Sequence, residues 1–130
     1  MIITRTPFRI SFMGGGTDFP GFYNENNGAV ISTSINKYSF VLTHPSSPCF
    51  NHKIKASYAQ IETVQQLDDV QHPIIRESLR FMGINEGIEV NHVSDLPGRT
   101  GLGTSSAFTV GLLHALHAMS GIRVSQEQLA

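Results

Sequence analysis

The segment Pro97-Gly98-Arg99-Thr100-Gly101-Leu102-Gly103-Thr104-Ser105-Ser106 joins an alternating run, residues 88–93, to an apolar one, residues 107–119. Strand, glycine turn and helix in that order constrain the fold strongly. The helix is apolar on most sides and must be buried against the preceding elements. Gly101 and Gly103 allow positive φ and close approach of the backbone to a ligand. Successive N–H groups in such a turn form a nest for an anion, and the helix start adds unpartnered N–H groups and a positive dipole end. Thr104, Ser105 and Ser106 supply hydroxyls for phosphate or for Mg²⁺, which prefers oxygen. The loop contains no lysine, so it is not a Walker sequence. Positions 101, 103 and 106 read Gly, Gly, Ser, so it is not a dinucleotide fingerprint either. The residues alone also suit a plain helix start with Thr104 or Ser105 as N-cap.

A second glycine tract lies near the front. Phe8, Ile10 and Phe12 alternate with Arg9, Ser11 and Met13, which predicts a strand with Arg9 on the face opposite the phenylalanines. Gly14-Gly15-Gly16-Thr17-Asp18 follows. Ordering three glycines is entropically expensive, so the tract suits a backbone that a ligand approaches, with Asp18 as a fixed acceptor. A flexible hairpin turn, with Asp18 in an Asx-turn, is the other reading. Arg9 carries a permanent charge and a fork of donors; it fits either a transferring phosphoryl group or a surface salt bridge.

Together the two tracts resemble the GHMP kinases (galactokinase, homoserine kinase, mevalonate kinase, phosphomevalonate kinase). Pro-x-x-x-Gly-Leu-Gly-x-Ser entering an apolar helix is similar to that family's second signature. The resemblance implies that Pro97, Gly101, Leu102, Gly103, Thr104, Ser105 and Ser106 hold the ATP phosphates and that Ser105 helps hold Mg²⁺. Thr104 stands where the family more often has Ser. Residues 7–18 resemble the first signature, on the acceptor side, with Arg9, Gly14, Thr17 and Asp18 matching. This implies a catalytic role for Arg9 and substrate contacts from Gly15, Gly16, Thr17 and Asp18. Gly15 and Gly16 replace the Glu-His pair of galactokinases. The Gly-Gly-Gly-Thr-Asp version is similar to bacterial heptose 7-phosphate kinases and to the fucokinase-like branch. The tracts at 72–77 and 94–97 point the same way.

The 130 residues suit one domain, and 40% hydrophobic content is adequate for a core. Net charge is -1 with both signs scattered, which excludes the basic footprint of a nucleic-acid binder. No apolar run is long enough to span a membrane. A single cysteine, Cys49, and no signal-peptide layout fit a cytoplasmic protein. Cys49 has no catalytic signature around it. His114 and His117, three residues apart, read as core or edge residues rather than a metal pair.

Strands are predicted over residues 4–13, 30–35, 38–43, 53–58 and 88–93, with Asn36-Lys37 as a tight connection and residues 44–52 as a loop. Helices are predicted from Pro73 to Gly83 and over about 105–120. Ser125-Gln126-Glu127-Gln128 is a capping box that starts another. The expected architecture is α+β: a two-layer mixed or antiparallel sheet with helices on one face. The resemblance implies the ribosomal-S5-like N-terminal domain of GHMP kinases, residues 1–130, without the C-terminal domain that normally packs against it.

The implied activity is transfer of the ATP γ-phosphoryl group to the anomeric hydroxyl of a heptose 7-phosphate, with ATP and Mg²⁺ as cofactors and a small-molecule sugar or sugar phosphate as partner. A fucokinase, galactokinase or mevalonate-type kinase, or a non-catalytic sugar- or nucleotide-binding module, are the alternatives. The family's Asp base and acidic Mg²⁺ ligand have no counterpart here, since Asp68, Asp69 and Asp95 match no such motif. The chain alone is therefore expected to be inactive or nearly so.

Overall fold

A computed structural model describes residues 1–17, 19–98 and 100–129. Five strands form one mixed sheet in the order β1-β2-β5-β3-β4. They are β1 (Ile2–Met13), β2 (Ile31–Pro45), β3 (Ile54–Ser57), β4 (Ile61–Val64) and β5 (Ile88–Ser94). β5 runs antiparallel to β2 and parallel to β3; the remaining pairs are antiparallel. The helices are α1 (Pro20–Tyr23), α2 (Pro73–Phe81), α3 (Thr104–Met119) and α4 (Gln126–Leu129).

The core lies between the sheet and the α2/α3 layer. Alternation along the strands sends Val41, Ile54, Ala56, Ile88 and Val90 to this face. They meet Ile75 and Leu79 of α2 and Phe108, Leu112 and Leu116 of α3. All but Phe108 and Ala56 of these are completely shielded from solvent. Each such large side chain contributes about 1.5–3 kcal/mol of transfer free energy. The expected two-layer α+β fold, with helices on one face, is what forms. An apolar groove remains on the outer side of α2 and α3, between Ile74, Phe81 and Leu113.

α3 approaches the sheet where it has no side chain. Gly111 sits over β1, and the Thr4 hydroxyl donates to its carbonyl at 2.8 Å. A Cβ at this position would lie 2.8 Å from Thr6 Oγ1. On the opposite face Glu89 is buried, 6% exposed. His44 and Lys55, its register partners on the two flanking strands, and His52 stand 3.5–3.7 Å from its carboxylate. A buried charge needs such compensation.

Three expectations change. β2 is continuous from Ile31 to Pro45, and Asn36-Lys37 is no turn. Instead the register slips there, with Pro7 opposite Tyr38 and Arg9 opposite Ser34, so two extra residues are absorbed as a bulge. No strand is predicted between residues 58 and 88, yet Ile61–Val64 form β4, an edge strand that among the described residues pairs with β3. Phe12 is 65% exposed rather than aligned with buried Phe8. A second register shift falls between Ser11 and Met13, and this end of β1 pairs only with β2.

That geometry produces an arm. Beyond the Ser39–Ser94 pair, β5 ends, and the first part of β2 continues with β1 as a two-stranded ribbon. The glycine tract 14–16 is at its tip, next to the helical turn α1. The capping box forms as expected: Ser125 N donates to Gln128 Oε1 and Gln128 N to Ser125 Oγ.

Candidate active site

The chain leaves β5 at Ser94 and reaches α3 through residues 95–103. Gly101 and Gly103 both have positive φ, 75° and 70°. Gly103 itself occupies the N-cap, in the left-handed region, with no side-chain cap. Neither Thr104 nor Ser105 caps the helix; both lie in its first turn. Their hydroxyls, and that of Ser106, bond to no other described residue. Ser105 and Ser106 are exposed. The first N–H groups of the helix have no intrahelical partner. Thr104 and Ser105 line the pocket described below, at the end of the helix that carries the positive dipole.

Arg9 reaches this loop from the arm. Its N–H donates to Leu102 O at 3.4 Å. Its Cγ and Nε lie 3.3 Å from the point where a Gly103 Cβ would be. Its Nη1 donates to Ser11 Oγ at 3.4 Å. No carboxylate lies within ion-pair distance of it among the described residues, so the salt-bridge alternative finds no partner there.

At the arm's tip Gly14 and Gly16 have φ of 83° and 109°. The Thr17 hydroxyl is turned inward, 2.8 Å from Gly14 O and 3.1 Å from Ala29 O. A Cβ on Gly14 would lie 1.8 Å from Ala29 O, and one on Gly28 2.3 Å from Thr17 O. These two glycines are required by backbone packing. Gly15 and Gly16 have open space at the Cβ position. Asp18 lies outside the described residues.

Beside the phosphate-type loop is a pocket of about 620 Å³. Pro97, Thr104 and Ser105 form one rim, and Tyr58, His72, His92 and Phe108 line its interior. The His92 and His72 rings contact the Phe108 ring at centroid distances of 4.4 and 5.3 Å. Tyr58 meets His72 edge-on at 4.7 Å. His92 Nε2 is 3.0 Å from the Ser39 hydroxyl. None of these four lining residues belongs to either glycine signature, and His72 alone falls in another tract noted in the sequence, 72–77. The available signal was a histidine on the core-facing register 88, 90, 92 of β5.

The pocket wall is held by Glu62. It accepts from Tyr58 Oη at 2.5 Å and from the backbone N–H groups of Gln71 and His72 at 2.6 and 3.2 Å. Burial opposes ionisation of this carboxyl, but the hydrogen bonds from Tyr58, Gln71 and His72 together hold it below its usual range. The bond to Glu62, then burial, pushes the Tyr58 phenol up to about 12. His72 Nδ1 accepts from Ile75 N–H and caps α2. Burial lowers the pKa of His72 and, more weakly aided by the charge of His72, that of His92.

These two histidines make the fold acid-sensitive. The unfolded imidazoles bind protons near pH 6.5, whereas the folded ones resist them. Stability is therefore full above about 6.5 and falls as pH drops below it, levelling off under the folded pKa values. Protonated His72 would also lose its acceptor for Ile75. Urea midpoints at pH 7.5, 6.5 and 5.5 are expected to decline over the lower interval, and less steeply in His92→Gln. A flat profile, or an equal decline in that variant, contradicts this account.

Asp68 pairs with Arg80 at 2.6 Å. His117 Nδ1 bonds to Leu113 O within its own helix. Cys49 is free and exposed. Among the described residues no group of His, Cys, Asp or Glu is arranged to hold a metal ion, and no helix is long and apolar enough to cross a membrane.

Residues 69–130 match the family described as the GHMP kinases N terminal domain. The D-glycero-alpha-D-manno-heptose 7-phosphate kinase of Campylobacter jejuni is 24% identical over 138 residues, covering 99% of this chain and 41% of that protein. A D-glycero-D-manno-heptose 1-phosphate kinase from Bacteroides thetaiotaomicron superposes with a TM-score of 0.81 at 16% identity, over 99% of this chain and 45% of that one. The Streptococcus pneumoniae phosphomevalonate kinase, solved in complex with phosphomevalonate and AMPPNP, gives 0.71 at 18% identity, over 99% of this chain and 40% of that one. The chain spans less than half the length of each. The resemblance drawn from the two glycine tracts is borne out, as is the fold class.

Proposed function

From the premise that this is the N-terminal fold of the GHMP kinases, with residues 69–130 matching their domain, we propose that the chain is the nucleotide-binding portion of an ATP-dependent sugar-phosphate kinase. The acceptor in this reading is the anomeric hydroxyl of a heptose 7-phosphate. The observation that carries the proposal is the convergence of Arg9 on Gly103 at the uncapped start of α3, beside a pocket large enough for a nucleoside.

Each part has a role. The amides of residues 101–106 receive the phosphates, with Pro97 at the rim. The base lies against Phe108, His72 and His92, whose neutral rings present flat, apolar faces. Arg9 faces the oxygens of the group being transferred and balances the charge that develops there. Gly15, Gly16, Thr17 and Asp18 form the acceptor side. Thr17 acts by holding the loop through Gly14 and Ala29, and the open space at Gly15 and Gly16 admits a bulky sugar phosphate. In the reaction the acceptor oxygen bonds to the γ-phosphorus, the bond to the β–γ bridging oxygen breaks, ADP leaves and the hydroxyl proton is released.

Mg²⁺, when bound, neutralises phosphate charge. Ser105 fits it as one exposed, unengaged oxygen ligand, with phosphates and water as the others. Turnover on this reading belongs to the longer protein, and the chain itself retains nucleotide binding.

Calorimetric titration of the chain with AMPPNP and Mg²⁺ tests this. Saturable binding is expected, weakened about tenfold in Ser105→Ala, the loss of roughly one ligand bond at 1.4 kcal/mol per decade. No binding by the wild type would sink the reading. For the longer enzyme, turnover of heptose 7-phosphate is expected in a panel with fucose, galactose and mevalonate. Preference for any of the other three would transfer the proposal to that branch.

A further inference from the structure

Asp95 makes two bonds to a single residue of β2. Its N–H donates to Tyr38 O at 3.0 Å, and its Oδ2 accepts from Tyr38 N–H at 2.9 Å. Tyr38 is the first residue of β2 past the last β5 pair, Ser39 with Ser94. It is also where the sheet narrows to the two-stranded arm. Asp95 thus ends β5 by taking both polar groups of the next β2 residue. Ser94 stiffens the turn that follows: its hydroxyl donates to Leu96 O at 2.5 Å and accepts from Leu96 N–H at 3.3 Å.

The far end of the loop is tied to the other strand of the arm, through Arg9 N–H to Leu102 O. Asp95 is therefore anchored on β2 and Leu102 on β1, the two strands of the arm that carries the 14–17 turn. The register slip between Pro7 and Arg9 lies between these two anchors.

We propose that Asp95 is a positioning residue that fixes the phosphate-type loop to the acceptor arm, so that the two sides of the site move as one body. This rests on the kinase reading for its purpose, but its mechanical content does not. Asp95 touches no reacting atom in this role and acts through Tyr38. The carboxylate matters as an acceptor: a backbone N–H bonded to a charged oxygen forms one of the stronger hydrogen bonds available at an exposed site. Asparagine keeps an acceptor oxygen in the same place and should largely substitute for it; alanine removes it.

The test compares wild type, Asp95→Ala and Asp95→Asn. Amide hydrogen exchange is read at Tyr38 and at residues 101–105, and AMPPNP affinity is measured alongside. In Asp95→Ala, exchange at these amides is expected to rise about tenfold and AMPPNP affinity to fall about tenfold, the range set by one charge-assisted hydrogen bond. The core amides of β5 and α3 should exchange as in wild type, which separates this from general unfolding. Asp95→Asn should stay within about threefold of wild type on both readouts. Unchanged loop exchange in Asp95→Ala overturns the inference, and so does an equal rise in Asp95→Asn. If wild type fails to bind AMPPNP, the nucleotide reading falls, while the exchange comparison still decides the role of Asp95.

Discussion

Replacing Gly111 with leucine is expected to destabilise the chain by about 4 kcal/mol or more, enough to abolish cooperative unfolding in a domain of ordinary stability. The reason is distance. The first atom of any side chain at 111 would already be 2.8 Å from Thr6 Oγ1, 3.4 Å from Thr4 Oγ1 and 3.5 Å from Val41 Cγ2. Three more carbons have no space between α3 and β1, and the helix must lift. Lifting it breaks the bond from Thr4 to Gly111 O and opens the contacts of Leu112 and Ala115. Alanine is the finer probe, because two effects oppose each other. A helix interior favours alanine over glycine by about 1 kcal/mol, while overpacking costs about 1–3 kcal/mol. Gly111→Ala should therefore be net destabilising in wild type. In a Thr6→Ala background, where the nearest obstructing atom is gone, the same change should become neutral or stabilising. That reversal is a coupling energy measurable by a double-mutant cycle in urea. If Gly111→Ala stabilises the wild type, the close approach of helix and strand is wrong.

The contrast between these residues and the loops explains what the sequence disclosed. The two glycine tracts were legible because their backbone geometry is local: positive φ at Gly14, Gly16, Gly101 and Gly103 is a property of a few adjacent residues. The helices from Pro73 and around Ala107 were legible for the same reason, through periodicity and Gly or Pro stops. Gly111 gave no such signal. Its role depends on Thr4 and Thr6, more than a hundred residues away. Asn36-Lys37 misled because turn-forming residues also suit a bulge, and only the partner strand decides between the two. The alternative of Thr104 or Ser105 as N-cap, which the residues alone also suited, does not form. Gly103 takes that position instead, which leaves the hydroxyls unengaged. The pocket wall was invisible because Tyr58, Glu62, His72 and His92 come from four separate places, joined only by the fold.

On the proposed kinase reading, Arg9→Ala is expected to lower phosphoryl transfer in a protein that carries this chain by about 10²–10³-fold, with a much smaller effect on AMPPNP affinity. The asymmetry follows from where the side chain sits. Its backbone N–H is committed to Leu102 O and its stem packs against Gly103, so these parts of the residue are engaged with the loop. Only the guanidinium is left to respond to charge, with Ser11 Oγ as its described partner at 3.4 Å. A group so placed gains most when negative charge builds on the transferring oxygens and less from a nucleotide at rest. Lysine should recover a small part of the loss, since it restores a charge but not the planar fork. Gly103→Ala should imitate the defect partially: it strains a backbone at φ of 70° and places a carbon 3.3 Å from Arg9 Cγ and Nε. Measuring kcat and AMPPNP Kd for the three variants separates the possibilities. If Arg9→Ala retains turnover within about threefold, or loses it only in proportion to nucleotide affinity, Arg9 serves binding or the loop's shape rather than the transfer itself.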